Sequence, residues 1–195
     1  MPDVSPARRR LGRQDWVDAA LQALTDRGPD AVAIEPIASA LGATKGSGYW
    51  HFANRAALVE ATMDEWLRLR TDEIISRVEQ DGGSARDRLG RLLVIVGTGV
   101  ERAIGESAIL SSTDPVVRQR MQVAVGRRIN YLTALLEQGG LARGAARSRA
   151  VLAYATFSGH AVLAATVPAV LPKSPQARRH AHREMLEMVL GPERS

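Results

Sequence analysis

The chain has 195 residues, 45% of them hydrophobic, and no cysteine. It is long enough for one large domain or two small ones around an apolar core, and too apolar to be disordered. Disulfides, thiolate zinc sites and cysteine nucleophiles are excluded, and a reducing interior is compatible with that. The formal net charge of +5 divides into +1 over residues 1–55, −1 over 56–139 and +5 over 140–195. No long basic stripe marks a nucleic-acid surface. The local exception is Arg8, Arg9, Arg10 and Arg13 against the single Asp3, a basic arm that matters only beside something that docks on phosphate. No apolar run follows these arginines, so no signal peptide is expected.

Strand signals are weak and helical periodicity is widespread. Val17, Ala20, Leu21 and Leu24 recur at helical spacing. Asp15 and Asp18 sit near that helix's start, where the dipole favours acids, and Gly28 stops it. A short helix fits Glu35–Leu41, with Pro36 in its first turn and Ile34, Ile37, Ala38 and Leu41 on its apolar side. A longer helix is expected from Asn54, a plausible N-cap, to Gln80, ended by "DGGS" at 81–84.

The next helix carries Leu89, Leu92, Leu93, Val96 and Val100 on one face. After the break "SSTDP", Pro115 opens another to about Gln138, and "GGLARG" turns at 139–144. Residues 150–172 contain no Asp, Glu, Lys or Arg, long enough to cross a bilayer. His160, Ser158, Thr156, Thr166, Pro168 and many alanines argue against that, and a helix buried on nearly all sides is the expectation. A final helix carries Met185, Leu186, Val189 and Leu190. The fold expected is therefore all-α.

Residues 37–52, "IASALGATKGSGYWHF", carry the functional signal. Where two short helices cross, the first needs a small side chain, and the turn between them needs a glycine able to take positive φ. Ala38 and Gly42 meet both conditions, at the spacing of a DNA-reading helix-turn-helix. The second helix would start at Thr44, whose hydroxyl can cap it. Lys45, Gly46 and Ser47 would face base edges, and Tyr49, Trp50 and His51 would place ring donors at phosphate level. Phe52 would fold back into the small core. Residues 43–52 alone equally describe a glycine-rich loop over a buried aromatic cluster.

The larger unit favours the helix-turn-helix reading. The "DAAL" of the first helix, Gly28, "IASALG", "YWHF" and "NRAAL" occur in order within residues 14–62. This stretch resembles the DNA-binding domain of the TetR (tetracycline-repressor-like) family of bacterial transcriptional regulators. The resemblance implies a basic arm over 1–13 and a three-helix DNA-binding domain over 14–55 that continues into the fourth helix. Residues 56–195 would form a larger helical domain for ligand binding and dimerisation. It implies base or thymine-methyl contacts from Lys45, Gly46, Ser47 and Tyr49, and phosphate contacts or packing from Thr44, Trp50 and His51. Arg55 stands where the family usually has a lysine that grips phosphate. Arg8, Arg9, Arg10 and Arg13 would then be a minor-groove arm.

Three positions depart from the family pattern. Gly48 replaces a large apolar residue, which predicts forfeited packing and a loosened reading helix. Ala33 replaces a capping hydroxyl. Glu35 brings an acid that would repel phosphate or accept from a cytosine amine.

A helix-turn-helix needs two copies to read a palindrome. Ala155, Ser158, Gly159, Val162 and Thr166 form a face of mostly small side chains, suited to close helix approach. With the final helix this predicts a four-helix homodimer interface; burial within one chain is the alternative. His160 reads as a hydrogen-bonded core or interface residue. His180 and His182, two apart, point to different faces and predict no metal site. Met121, Leu93 and Trp66 are candidates to line a cavity.

The resemblance implies a cytoplasmic regulator, usually a repressor, that binds a double-stranded DNA operator and is released by a small-molecule inducer. No enzymatic constellation, cofactor or metal is expected. The alternative is a helical adaptor or membrane-associated protein that has lost DNA binding.

Overall fold

A computed structural model describes residues 11–97 and 106–190. Nine helices are labelled here, and no strand occurs among the described residues. Three short ones come first: α1 (Arg13–Arg27), α2 (Ile34–Ala40) and α3 (Lys45–His51). Then come α4 (Arg55–Leu67), α5 (Glu73–Gln80) and α6 (Ala85–Gly97). Residues 106–110 are also helical. The chain closes with α7 (Pro115–Gln138), α8 (Arg143–Thr166) and α9 (Pro175–Leu190).

The helix ends follow local chemistry. Asp15 accepts from the Gly12 amide at 2.7 Å and holds the start of α1. Gly28, at φ +83°, donates to the Leu24 carbonyl and ends it. Asn54 caps α4 by accepting from the Ala57 amide at 2.9 Å, and Asp114 caps α7 through the amides of Val116 and Val117. Each such cap is worth about 1 kcal/mol.

One expectation needs correction. The stretch Asn54–Gln80 is not one regular α-helix. Between α4 and α5, residues Arg68–Asp72 form a π-turn, in which the Glu73 amide reaches back five residues to the Arg68 carbonyl. Such wide turns leave backbone acceptors poorly paired and recur at functional places. Here Arg128 of α7 supplies donors, to the Arg70 carbonyl at 3.2 Å and to the buried Thr71 hydroxyl at 3.0 Å.

Two apolar cores result. The first joins α1–α4 to α7: Trp16, Ile34, Phe52 and Leu58 are continuous with Trp66, Ile109 and Met121. It crosses residue 55 without a break, so α4 belongs to the small head and the larger bundle alike. Met121 is part of this core and does not line the cavity described below. The second core packs α6–α9 through Leu89, Leu135, Leu136, Ala146, Ala150 and Val189.

The uncharged segment in α8 is buried on one side only. Ala150, Ala153, Ala161 and Ala164 face inward, while Val151, Leu152, Val162 and Leu163 are exposed. Full burial was the wrong expectation because one chain supplies neighbours to only one side of this helix. No described helix is long and apolar enough to cross a membrane.

Candidate functional site

The α2–turn–α3 unit is built by short-range rules. Gly42 takes φ +62°, a left-handed turn that only glycine adopts without strain. The Ala43 amide returns to the Ala38 carbonyl at 2.8 Å, closing α2 against the turn. Thr44 then starts α3, its hydroxyl accepting from the Ser47 amide at 3.3 Å. Ile34, Ile37 and Ala38 are buried beneath.

Gly48 is the pivot of α3. It is the buried residue of that helix. A methyl group built on it would lie 2.6 Å from Ile34 Cγ2 and 2.8 Å from the six-membered ring of Trp16. The gap expected from glycine is thus filled by Trp16, itself fully buried. Loosening is the wrong expectation at this position.

With Gly48 turned inward, the other side of α3 faces outward. Lys45, Gly46, Tyr49 and Trp50 are exposed, Ser47 and His51 half-buried. Trp50 is 78% exposed, which no packing requirement explains. Its ring meets His51 edge-on at 4.6 Å between centroids, and His51 also lies beside Trp16 and Phe52. Phe52 is buried as expected. The Tyr49 hydroxyl donates to Glu35 of α2 at 3.1 Å. Hydrogen bonding to that carboxylate, and its charge, raise the tyrosine pKa above its ordinary value. Glu35 therefore orients Tyr49.

Ala33 sits at the N-cap of α2, where no side chain caps the helix. Arg13 lies in the first turn of α1, not in an arm, with its guanidinium 4.8 Å from the centre of the Phe52 ring. Arg8, Arg9 and Arg10 lie outside the described residues.

Arg55 has partners within the chain. It donates to Asp114 Oδ2 at 2.6 Å and to the Pro29 carbonyl at 3.1 Å, tying the start of α4 to the cap of α7. Burial pushes the Asp114 pKa up. The hydrogen bond from Arg55 and those from the Val117 and Val116 amides outweigh it and hold the pKa below the usual carboxylate value.

A cavity of about 100 Å³ opens within the larger bundle. Its wall includes Trp66, Leu93, Ile109, Tyr154 and Phe157, and it is mostly apolar. Leu93 and Trp66 were legible candidates. Arg128 enters the wall from α7, paired with Glu106 and lying 5.1 Å from the Trp66 ring centre. Arg128 thus touches both the cavity wall and the π-turn that follows α4. No signal in the sequence separated Arg128, Glu106 or Asp114 from other charged residues.

Of the five residues expected at a dimer interface, Ala155, Gly159, Val162 and Thr166 are exposed in the single chain, while Ser158 is half-buried with its hydroxyl turned inward. Among the described residues, no group of three or more His, Asp or Glu side chains could hold a metal ion.

A helix-turn-helix whose second helix is seated at a buried glycine, on a helical bundle that holds a cavity, defines a two-part, all-helical protein. Residues 17–62 match the bacterial regulatory proteins of the tetR family. The tetracycline repressor protein class D of Escherichia coli is 36% identical over 63 residues, which are 32% of this chain and 29% of that protein. The HTH-type transcriptional regulator TtgR of Pseudomonas putida is 40% identical over 52 residues, 27% of this chain and 25% of the other. The chain thus spans under a third of the length of these curated relatives. The fatty acid degradation regulator FadR from Bacillus halodurans shares the fold, with a TM-score of 0.70 at 18% identity over 95% of this chain and 99% of that one. Residues 17–62 are thus similar to the tetR-family regulators in sequence, and the whole chain shares the fold of the FadR structure.

Proposed function

We propose that this chain is a sequence-specific DNA-binding transcriptional repressor. It acts in the cytoplasm as a homodimer on a palindromic operator and is released by a small molecule. The carrying observation is α3: a helix pinned from below at Gly48, with Lys45, Tyr49 and Trp50 outward and unclaimed by the core. Short recognition helices of this kind enter the major groove by their N-terminal residues. Lys45, Gly46, Ser47 and Tyr49 read bases, while Thr44, Trp50 and His51 meet the phosphates beside them. Arg8, Arg9, Arg10 and Arg13 are the minor-groove contacts of this reading, and Arg55, still partly exposed while paired with Asp114, meets a phosphate.

Residues 14–55 serve as the reading head, with α4 shared, and residues 56–195 as the dimerising and ligand-binding part. The exposed side of α8, with Ala155, Gly159, Val162 and Thr166, meets its counterpart in a second copy. A ligand that favours one spacing of the two heads shifts the population away from the operator-bound form.

The test is protection of DNA upstream of the chain's own coding region, followed by titration at several salt concentrations. A palindromic footprint and a steep fall in affinity with salt are expected. Lys45→Ala and Tyr49→Ala should each lower operator affinity by about 1–3 kcal/mol. Affinity unchanged in both variants, with folding intact, would remove α3 from the interface. Association with liposomes and no DNA binding would favour an adaptor or membrane-associated protein.

A further inference from the structure

We propose that the bundle cavity binds a compact, uncharged, mostly apolar molecule carrying one hydrogen-bonding group, which it presents to the Tyr154 hydroxyl in the cavity wall. This deepens the regulatory reading, on which its biological meaning rests, by naming the chemistry of the effector.

Size comes first. An apolar cavity of about 150 Å³ accepts benzene, and this one is about 100 Å³. A single ring or a short branched chain fits after small movements of Leu92, Leu93 and Val96, which are only half-buried. Charge comes second. Arg128 and Glu106, both largely buried, already neutralise one another, and Arg70, the third charged side chain of the wall, has an interaction of its own. An anionic ligand would have to evict Glu106 from Arg128 and leave that carboxylate buried without its partner. A cation would strand Arg128 in the same way. Stranding a buried charge is costly, whereas a neutral ligand leaves the pair intact.

Polarity comes third. The Tyr154 and Ser158 hydroxyls are buried close to one another, with Arg128 beside Tyr154, and neither makes a well-formed hydrogen bond within the chain. Buried polar groups are seldom left so. Burial raises the Tyr154 pKa, so the phenol remains protonated at neutral pH and can donate to, or accept from, a ligand hydroxyl or carbonyl.

The test is calorimetric titration of the full chain with four probes that share one ring: benzyl alcohol, benzoate, benzylammonium and toluene. Benzyl alcohol should bind saturably and at least about tenfold more tightly than either ion, since a stranded buried charge costs more than one hydrogen bond contributes. Tyr154→Phe should weaken benzyl alcohol by about two- to tenfold, the worth of one hydrogen bond, and leave toluene unchanged. Far-UV circular dichroism checks that the variant folds. The proposal is overturned if benzoate or benzylammonium matches benzyl alcohol, if Tyr154→Phe weakens toluene equally, or if no probe binds saturably. DNA protection is measured without probe. Its loss alongside an intact preference for the alcohol sinks the repressor and leaves the cavity assignment standing; the reverse pattern does the opposite.

Discussion

The head and the bundle solve opposite packing problems. Around Gly48 there is no room for a methyl group, since Ile34 and Trp16 already occupy the space. Three short helices within residues 13–51 present one surface, and close packing over a large ring is how so small a core holds its shape. A buried aromatic side chain removes about 150–250 Å² from water, much of what this head can bury in one residue. The bundle does the reverse. It keeps a cavity between α4, α6, α7 and α8 and leaves Val151, Leu152, Val162 and Leu163 uncovered. Closely packed beneath α3 and incompletely filled elsewhere, the chain joins the two regimes through α4.

The contrast is most directly broken at its tight end. Gly48→Leu should cost about 3 kcal/mol, the upper range for overpacking, and should weaken operator binding by tilting α3. Urea denaturation checks the first, DNA titration the second. Combining it with Trp16→Ala should recover part of the loss, with a coupling of about 1–3 kcal/mol. Simple additivity would mean that the indole is not what excludes the side chain.

The joint between the regions is weaker. Asp114→Asn keeps an amide oxygen for the α7 cap but loses the ion pair with Arg55, a partly exposed contact, and should cost about 1 kcal/mol. The folded-state pKa of Asp114 is depressed. Its contribution is therefore complete above the unfolded value of about 3.9 and is lost as pH falls through the lower, folded value. Denaturation midpoints measured from pH 6 to pH 2 should fall less steeply in the variant than in the parent.

The smallest effect on the fold of one chain is expected on the open side of α8. Leu152 is 65% exposed, so Leu152→Glu should change the stability of the isolated chain by no more than about 0.5 kcal/mol. Sedimentation equilibrium should nevertheless shift from two copies to one. A variant that still sediments as two would place the pairing surface elsewhere.

What could be read from the sequence was local. Gly42, the Thr44 and Asn54 caps and the boundaries of α1 and α3 each depend on neighbours a few residues away, and each was legible. The Trp16–Gly48 exchange links positions 32 apart, so glycine alone suggested a hole that a distant ring in fact fills. Arg55–Asp114 and Arg128–Glu106 join helices across long separations, and an arginine's partner leaves no periodic trace. The uncharged run in α8 misled for a related reason: its composition shows that something should cover it, not whether the same chain does. The cavity was half legible, through Leu93 and Trp66, because empty space has no residue of its own.

The π-turn at Arg68–Asp72 sets the rotational phase of everything after it. Each residue of an α-helix advances about 100° around the axis, so one residue accommodated in a wide turn redirects the following side chains by that amount. Ile74 and Ile75 reach the cavity wall although α4 upstream is aligned to the head. Deleting a single residue there, at unchanged composition elsewhere, would swing those isoleucines away from the cavity and uncouple two surfaces that one continuous backbone now keeps in step.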